Sequence, residues 1–79
     1  MFIVIGRTGC PYTDGAVKML KNKKISNKYY QNDSKLKLVQ EYLKHVPSNH
    51  TTVPKIFELK NNNLYWIGGC TELKSYLSK

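Results

Sequence analysis

The chain has 79 residues, which leaves room for one domain, and we expect that domain to span residues 1–79. Hydrophobic residues make up 41% of the chain, and its two cysteines are too few for a disulfide framework and lack the spacing of a zinc site. Thirteen Lys and Arg residues outweigh five Asp and Glu, so the formal net charge of +8 favours anionic partners.

The first half of the chain predicts a strand, a helix, a second strand and a second helix. Residues 2–5 form a continuous apolar run typical of a buried central strand. Pro11 suits the first turn of a helix, which we expect over residues 11–23, and a second strand is expected over residues 27–31. Asp33 or Ser34 can cap the next helix, whose apolar residues recur from Leu36 to Leu43 and which Pro47 ends.

The second half predicts a hairpin and a closing helix. Strands are expected over residues 55–59 and 64–67, joined by a turn of three asparagines at residues 61–63. The last helix is expected over residues 71–78, with Leu73 and Leu77 facing inward. The order β-α-β-α-β-β-α predicts an α/β fold in which helices cover both faces of a four-stranded mixed sheet.

The candidate nucleophile is Cys10, at the point where the first strand hands over to the first helix. Unpaired backbone N–H groups and the positive end of the helix dipole favour a thiolate there, and Arg7 adds a positive charge. Cysteines in such positions ionise at roughly pH 3.5 to 7.5, and the thiolate is the nucleophile in disulfide exchange.

Three motifs in register resemble the glutaredoxin family of the thioredoxin fold. Gly9-Cys10-Pro11-Tyr12 is similar to the start of the family's C-P-Y-C active site, Thr52-Val53-Pro54 to its T-V-P segment with a cis proline, and residues 68–73 to its glycine pair followed by a small polar residue, an acid and leucine. Together they extend over most of the chain. The resemblance implies a glutathione-dependent thiol–disulfide oxidoreductase with glutathione as co-substrate and no metal.

By the same resemblance, Val53 would pair with the cysteinyl part of glutathione as an added strand does, and Cys70 and Thr71 would hold the γ-glutamyl carboxylate at a helix start. Gln40 resembles a glutamine that the family uses near the glycine carboxylate, although a solvent-facing role is equally compatible with the sequence. The expected glutathione-binding residues are Arg7, Tyr12, Thr13, Gln40, Thr52, Val53, Pro54, Gly69, Cys70 and Thr71. His45 and His50 have no partner pattern and are interpreted as surface residues.

Thr13 stands where dithiol members of the family carry a second, resolving cysteine. Its presence favours a monothiol reaction through Cys10, in which Cys70 is a packed or weakly reactive thiol rather than a substitute resolving group. The alternatives are a carrier of a glutathione-ligated iron–sulfur cluster, shared between two chains, and a non-catalytic binding module. Pro11 and the absence of a C-G-F-S signature disfavour the first alternative.

The expected partners are glutathione and glutathionylated or disulfide-containing proteins. No nucleic-acid motif accompanies the positive charge, so the lysine cluster at residues 18–28 is interpreted as a solvated surface and no nucleic-acid partner is expected. Met1 to Gly6 is too short an apolar run for a signal peptide or a membrane span. We therefore expect a cytoplasmic monomer with no membrane partner, whose cysteines are reduced thiols.

Overall fold

A computed structural model describes residues 1–78, and its elements follow the predicted order. The strands are β1 (Phe2–Gly6), β2 (Asn27–Gln31), β3 (Lys55–Lys60) and β4 (Asn63–Gly68), and the helices are α1 (Pro11–Asn22), α2 (Lys37–Leu43) and α3 (Cys70–Leu77). The sheet has the order β2-β1-β3-β4, with β1 parallel to β2 and antiparallel to β3, and with β3 antiparallel to β4. This four-stranded mixed sheet flanked by helices is the thioredoxin fold, as predicted.

The central position of β1 explains its uninterrupted apolar sequence, because side chains of a strand alternate between the two faces of the sheet. Phe2 and Val4 pack against α1 and α3, in a buried cluster with Ala16, Leu20, Ile56 and Leu73. Ile3 and Ile5 face the other way, in a second buried cluster with Val39 of α2 and Phe57. Each face of β1 therefore contributes to a separate core layer.

Two predicted details of α2 and of the hairpin are wrong. Neither Asp33 nor Ser34 caps α2, because the Ser34 hydroxyl instead accepts a hydrogen bond from the N–H of Leu36 (3.2 Å) in the turn before the helix, and Leu36 occupies the N-cap position, 58% exposed. The hairpin turn needs only Asn61 and Asn62, whose φ angles of 51° and 66° are the left-handed values that a tight two-residue turn requires. Asn63 consequently belongs to β4.

The topology brings four connecting segments to one edge of the sheet. Because β1 and β2 are parallel, their carboxyl ends lie side by side, and the antiparallel pairing of β3 places its first residue, Lys55, opposite Ile5. The carboxyl end of β4 lies beside the start of β3, since Gly68 pairs with Ile56. Residues 7–10, 32–36, 51–54 and 69–70 therefore meet at this edge. Within residues 1–78, every helix falls short of the length and apolar character that a membrane crossing requires.

Candidate active site

Cys10 occupies the N-cap position of α1, directly before Pro11. A tight turn delivers it there, closed by a hydrogen bond from the N–H of Cys10 to the carbonyl of Arg7 (3.2 Å), with Gly9 at φ 82°. That positive φ is the left-handed backbone which glycine adopts without a steric penalty. Cys10 is a half-buried free thiol at the junction of β1 and α1, where the sequence predicts it.

The surroundings of the sulfur lower the pKa of Cys10. The largest contribution is a hydrogen bond from the backbone N–H of Thr13, followed by one from the Thr13 hydroxyl, whereas partial burial of the thiol opposes them. The N–H of Tyr12 and the positive charge of Arg7 add smaller effects in the lowering direction. The thiolate is therefore stabilised mainly by the first turn of α1, which is the cause predicted from the position of Cys10 at a helix amino terminus.

Thr13 differs from its expected placement as a glutathione contact. Its side chain is 1% exposed and points into the fold, where its hydroxyl oxygen accepts a hydrogen bond from the N–H of Arg7 (3.3 Å). The same hydroxyl can donate its hydrogen to the Cys10 sulfur. The buried Thr13 side chain thus stabilises the Cys10 thiolate from inside the fold and is not exposed on the protein surface.

A cleft of about 580 Å³ adjoins the Cys10 segment. Its lining residues are Arg7, Tyr12, Asn32, His50, Thr51, Thr52, Val53, Pro54, Lys55, Gly69, Cys70, Thr71 and Glu72. The Val53–Pro54 peptide bond is cis, as the T-V-P resemblance implied. Of the residues predicted from the sequence, eight line the cleft: Arg7, Tyr12, Thr52, Val53, Pro54, Gly69, Cys70 and Thr71. Cys10 is not among the lining residues. It lies in the chain between Arg7 and Tyr12, both of which line the cleft.

Gln40 is not brought into the cleft. It is an exposed residue of α2, and its side-chain N–H donates to the carbonyl of Ser34 (2.8 Å), in the segment that precedes the helix. The solvent-facing alternative for Gln40 therefore agrees with its position in the structure.

Glutaredoxins are among the solved structures that this chain resembles over 98% of its length. Glutaredoxin 1 from Francisella tularensis is 27% identical, with 91% of that chain covered and a TM-score of 0.66. The glutaredoxin from Brucella melitensis is 25% identical, with 77% covered and a TM-score of 0.68. Reduced glutaredoxin from Escherichia coli, 23% identical with 92% covered and a TM-score of 0.68, supports the same fold.

The chain has the thioredoxin fold and is similar to glutaredoxins over nearly its whole length. The two neighbours that are at least 25% identical support a thiol oxidoreductase of the glutaredoxin type. A scan of protein-family models gives no match, and neither does a search of curated protein sequences. The solved structures therefore carry the assignment, and they do so over nearly the whole chain.

His50 is not the surface residue that the sequence predicts. It is half-buried in the cleft, with its Nε2 atom 3.3 Å from the carbonyl oxygen of Pro54 and its ring edge-on to Trp66 at a centroid distance of 4.9 Å. Trp66 belongs to β4, so this contact depends on the tertiary fold and leaves no local pattern in the sequence. His45 is exposed, as predicted.

Asn32 and Lys55 also line the cleft, although the sequence did not single them out, and so does Glu72, the acid of the motif at residues 68–73. Glu72 accepts a hydrogen bond from the N–H of Gly69 (2.7 Å) and so satisfies a free donor at the start of α3. Lys55 donates from Nζ to the side-chain oxygen of Asn32 (2.7 Å). The position of Lys55 directly after the Val53-Pro54 segment was a usable signal, because it places the lysine at the start of a strand beside the candidate site.

Replacing Thr13 by valine should raise the pKa of Cys10, because valine keeps the branched shape but cannot donate a hydrogen bond to the thiolate. The rise of activity with pH should then occur at higher pH than in the wild type. Below the wild-type pKa the variant should be slower, since less of its thiol is ionised, and above both pKa values the two rates should converge. Thiolate ultraviolet absorbance and the pH–rate profile measure both effects.

Thr13→Ser is the matched control for this experiment, because serine retains the hydroxyl and should keep a low Cys10 pKa. Equal Cys10 pKa values in the wild type and in Thr13→Val would show that the hydroxyl does not act on the sulfur.

Proposed function

We propose that this protein is a glutathione-dependent thiol transferase that reduces mixed disulfides between glutathione and proteins, with Cys10 as the nucleophile. The observation that carries the proposal is the position of Cys10 at the amino end of α1, with a lowered pKa and beside an open cleft. A thiolate in that position is a strong nucleophile at neutral pH. The cleft provides room and polar groups for the peptide part of a thiol substrate.

In the proposed first step, the Cys10 thiolate attacks the glutathione sulfur of a protein–glutathione disulfide. A new disulfide forms between Cys10 and glutathione, the original disulfide bond breaks, and the protein leaves as a thiolate that takes up a proton. In the second step, the thiolate of another glutathione molecule attacks the sulfur of the bound glutathionyl group. Oxidised glutathione leaves, and the Cys10 thiolate is regenerated.

The monothiol form of this cycle is supported by what surrounds Cys10. Thr13 lies in the first turn of α1 and supplies a hydroxyl, which cannot form a disulfide. The second cysteine, Cys70, is half-buried at the start of α3 and packs against the core layer that includes Leu20 and Leu73. A packed thiol agrees with a supporting role for Cys70, whose backbone can still donate to a carboxylate of glutathione.

The cleft offers favourable groups for both carboxylates of glutathione. The first backbone N–H groups of α3, near Cys70 and Thr71, suit the γ-glutamyl carboxylate. Arg7 supplies a permanent positive charge for the glycine carboxylate. Val53 also lines the cleft, and its backbone can pair with the cysteinyl residue in the manner of an added strand.

The proposal is tested by glutathione-coupled reduction of a mixed disulfide between glutathione and a small thiol, with the enzyme followed by intact mass. We expect turnover together with one transient glutathione adduct, located on Cys10 by peptide mapping. An adduct without turnover would favour a binding role, and the lack of any adduct would refute the proposed site. A brown protein with two chains per cluster would instead favour the iron–sulfur carrier.

A further inference from the structure

Two positively charged side chains, Arg7 and Lys55, line the cleft. Lys55 pairs with Ile5 across β1 and β3, and Arg7 follows Ile5 by two residues, so Lys55 and Arg7 are diagonal neighbours at the edge of the sheet. Burial is the main cause that lowers the pKa of Lys55, and the charge of Arg7 is the second. The two cations therefore lie close enough to repel each other.

No carboxylate of residues 1–78 forms an ion pair with this pair of cations. The acidic residue in the cleft lining is Glu72, whose carboxylate is held by the N–H of Gly69. The ion pair found within the described part of the chain joins Glu41 of α2 to Lys44, the C-cap residue of the same helix. Lys55 is half-buried and Arg7 is exposed. The partly desolvated charge of Lys55, next to a second cation and without an anion, is electrostatically unfavourable, and an anionic ligand would relieve it.

Lys55 is also held in place for a ligand. Its Nζ atom donates one hydrogen bond to the side-chain oxygen of Asn32 (2.7 Å), a neutral acceptor that leaves the charge uncompensated. An ammonium group has three N–H donors, so two remain for another acceptor. The Asn32 backbone is fixed in turn, because its N–H donates to the carbonyl of Gly6 (2.7 Å) at the end of β1.

We propose that Arg7 and Lys55 together bind the glycine carboxylate of glutathione, and that Lys55 takes the role which the sequence assigned to Gln40. This inference rests on the proposed function, and it names Lys55 as a residue that determines specificity for thiols carrying that carboxylate. Gln40 is bonded to Ser34 and lies outside the cleft, whereas Lys55 lies within it. Hydrogen bonds between an ammonium group and a carboxylate are stronger than those from a neutral amide.

The test compares two small mixed disulfides, one made with glutathione and the other with glutathione whose glycine carboxylate is converted to a carboxamide. The wild type should prefer the first by about 10- to 100-fold in kcat/KM, the range expected for one charge-assisted hydrogen bond. Lys55→Gln should reduce this ratio at least about fivefold, mainly through KM, because the contact exists before the chemical step as well as during it. Lys55→Met, which keeps the aliphatic stem, should do the same.

Two control variants isolate the charge. Lys55→Arg keeps the positive charge and should keep most of the preference. Lys60→Gln removes a lysine from the other end of β3, where it is exposed and outside the cleft, and should leave both kcat/KM values unchanged. Gln40→Ala should keep the wild-type ratio, which separates the role of Lys55 from the role first assigned to Gln40.

A wild type that turns over both disulfides equally, or neutral Lys55 variants that keep the full preference, would overturn the inference and leave the proposed function in place. A wild type that turns over neither disulfide would overturn the proposed function and the inference together. Loss of the preference in Gln40→Ala, with Lys55→Gln unaffected, would assign the carboxylate to Gln40.

Discussion

Replacing Cys10 by serine should reduce the glutathione-dependent thiol transferase activity by about a thousandfold or more, the scale of loss seen when a catalytic nucleophile is removed. Serine is nearly isosteric, but its hydroxyl does not ionise at neutral pH, so the stabilising hydrogen bonds from Thr13 and Tyr12 have no thiolate to act on. The folded state should be little changed, because Cys10 is half-buried at the start of α1. Steady-state turnover and intact mass after exposure to oxidised glutathione measure the loss.

Cys70→Ser is the matched control for this substitution. It replaces sulfur by oxygen in the other cysteine and keeps the backbone N–H at the start of α3. The variant should therefore retain most of the activity. The opposite pattern, with Cys70→Ser inactive and Cys10→Ser active, would show that the nucleophile is Cys70. Loss of activity in both variants would indicate a two-cysteine reaction and would contradict the monothiol cycle.

The fold could be predicted from the sequence because each buried layer has a local signature. The apolar run of β1 has no polar residue to place on a solvent face, which is possible only for a strand covered on both sides. The second strand was predicted with the bounds that the structure has, Asn27–Gln31. The start of α2 could not be predicted, because the Ser34 hydroxyl accepts the N–H of Leu36 in the preceding turn. The same residue types, Ser and Asp among them, are favoured both in turns and at helix N-caps, so the sequence does not distinguish the two roles.

The candidate site was predictable where its residues are adjacent in the chain. Cys10, the Val53-Pro54 segment and the start of α3 each form a short motif, and the topology brings all three to one edge of the sheet. Lys55 and His50 depend on contacts between elements that are distant in sequence, with Asn32 and Trp66 respectively. Such contacts are set by the tertiary fold and leave no local pattern, so only the position of Lys55 directly after the Val53-Pro54 segment could be taken from the sequence.

Gly6→Ala should be strongly destabilising, because a Cβ atom at this position would lie 2.4 Å from Cγ2 and 2.5 Å from Oγ1 of Thr13. Thr13 is buried in α1 and its branched side chain has few accessible rotamers there, so it cannot move aside easily. Overpacking of this kind costs about 1–3 kcal/mol, and each kcal/mol lowers Tm by about 4–8 °C in a domain of this size. Thermal unfolding followed by circular dichroism measures the change.

A second consequence of Gly6→Ala concerns the nucleophile, since a displaced Thr13 can no longer hold its hydroxyl on the Cys10 sulfur. The pKa of Cys10 should therefore rise in this variant, although position 6 acts on the sulfur only through Thr13. Gly15→Ala is the control: its Cβ atom would lie 3.7 Å from the Cys70 sulfur, an ordinary contact, and alanine should stabilise the interior of α1 by about 0.5–1 kcal/mol.

The double variant Gly6→Ala/Thr13→Ala separates steric conflict from other causes of instability. Removing Cγ2 and Oγ1 of Thr13 leaves its Cβ atom as the nearest contact, at 3.0 Å. The double variant should therefore lose less free energy of unfolding than the sum of the losses in the two single variants. Strict additivity would mean that Thr13 is not what excludes a side chain at position 6. Because alanine at position 13 has no hydroxyl to donate to the Cys10 sulfur, partial recovery of stability should occur without recovery of the low Cys10 pKa.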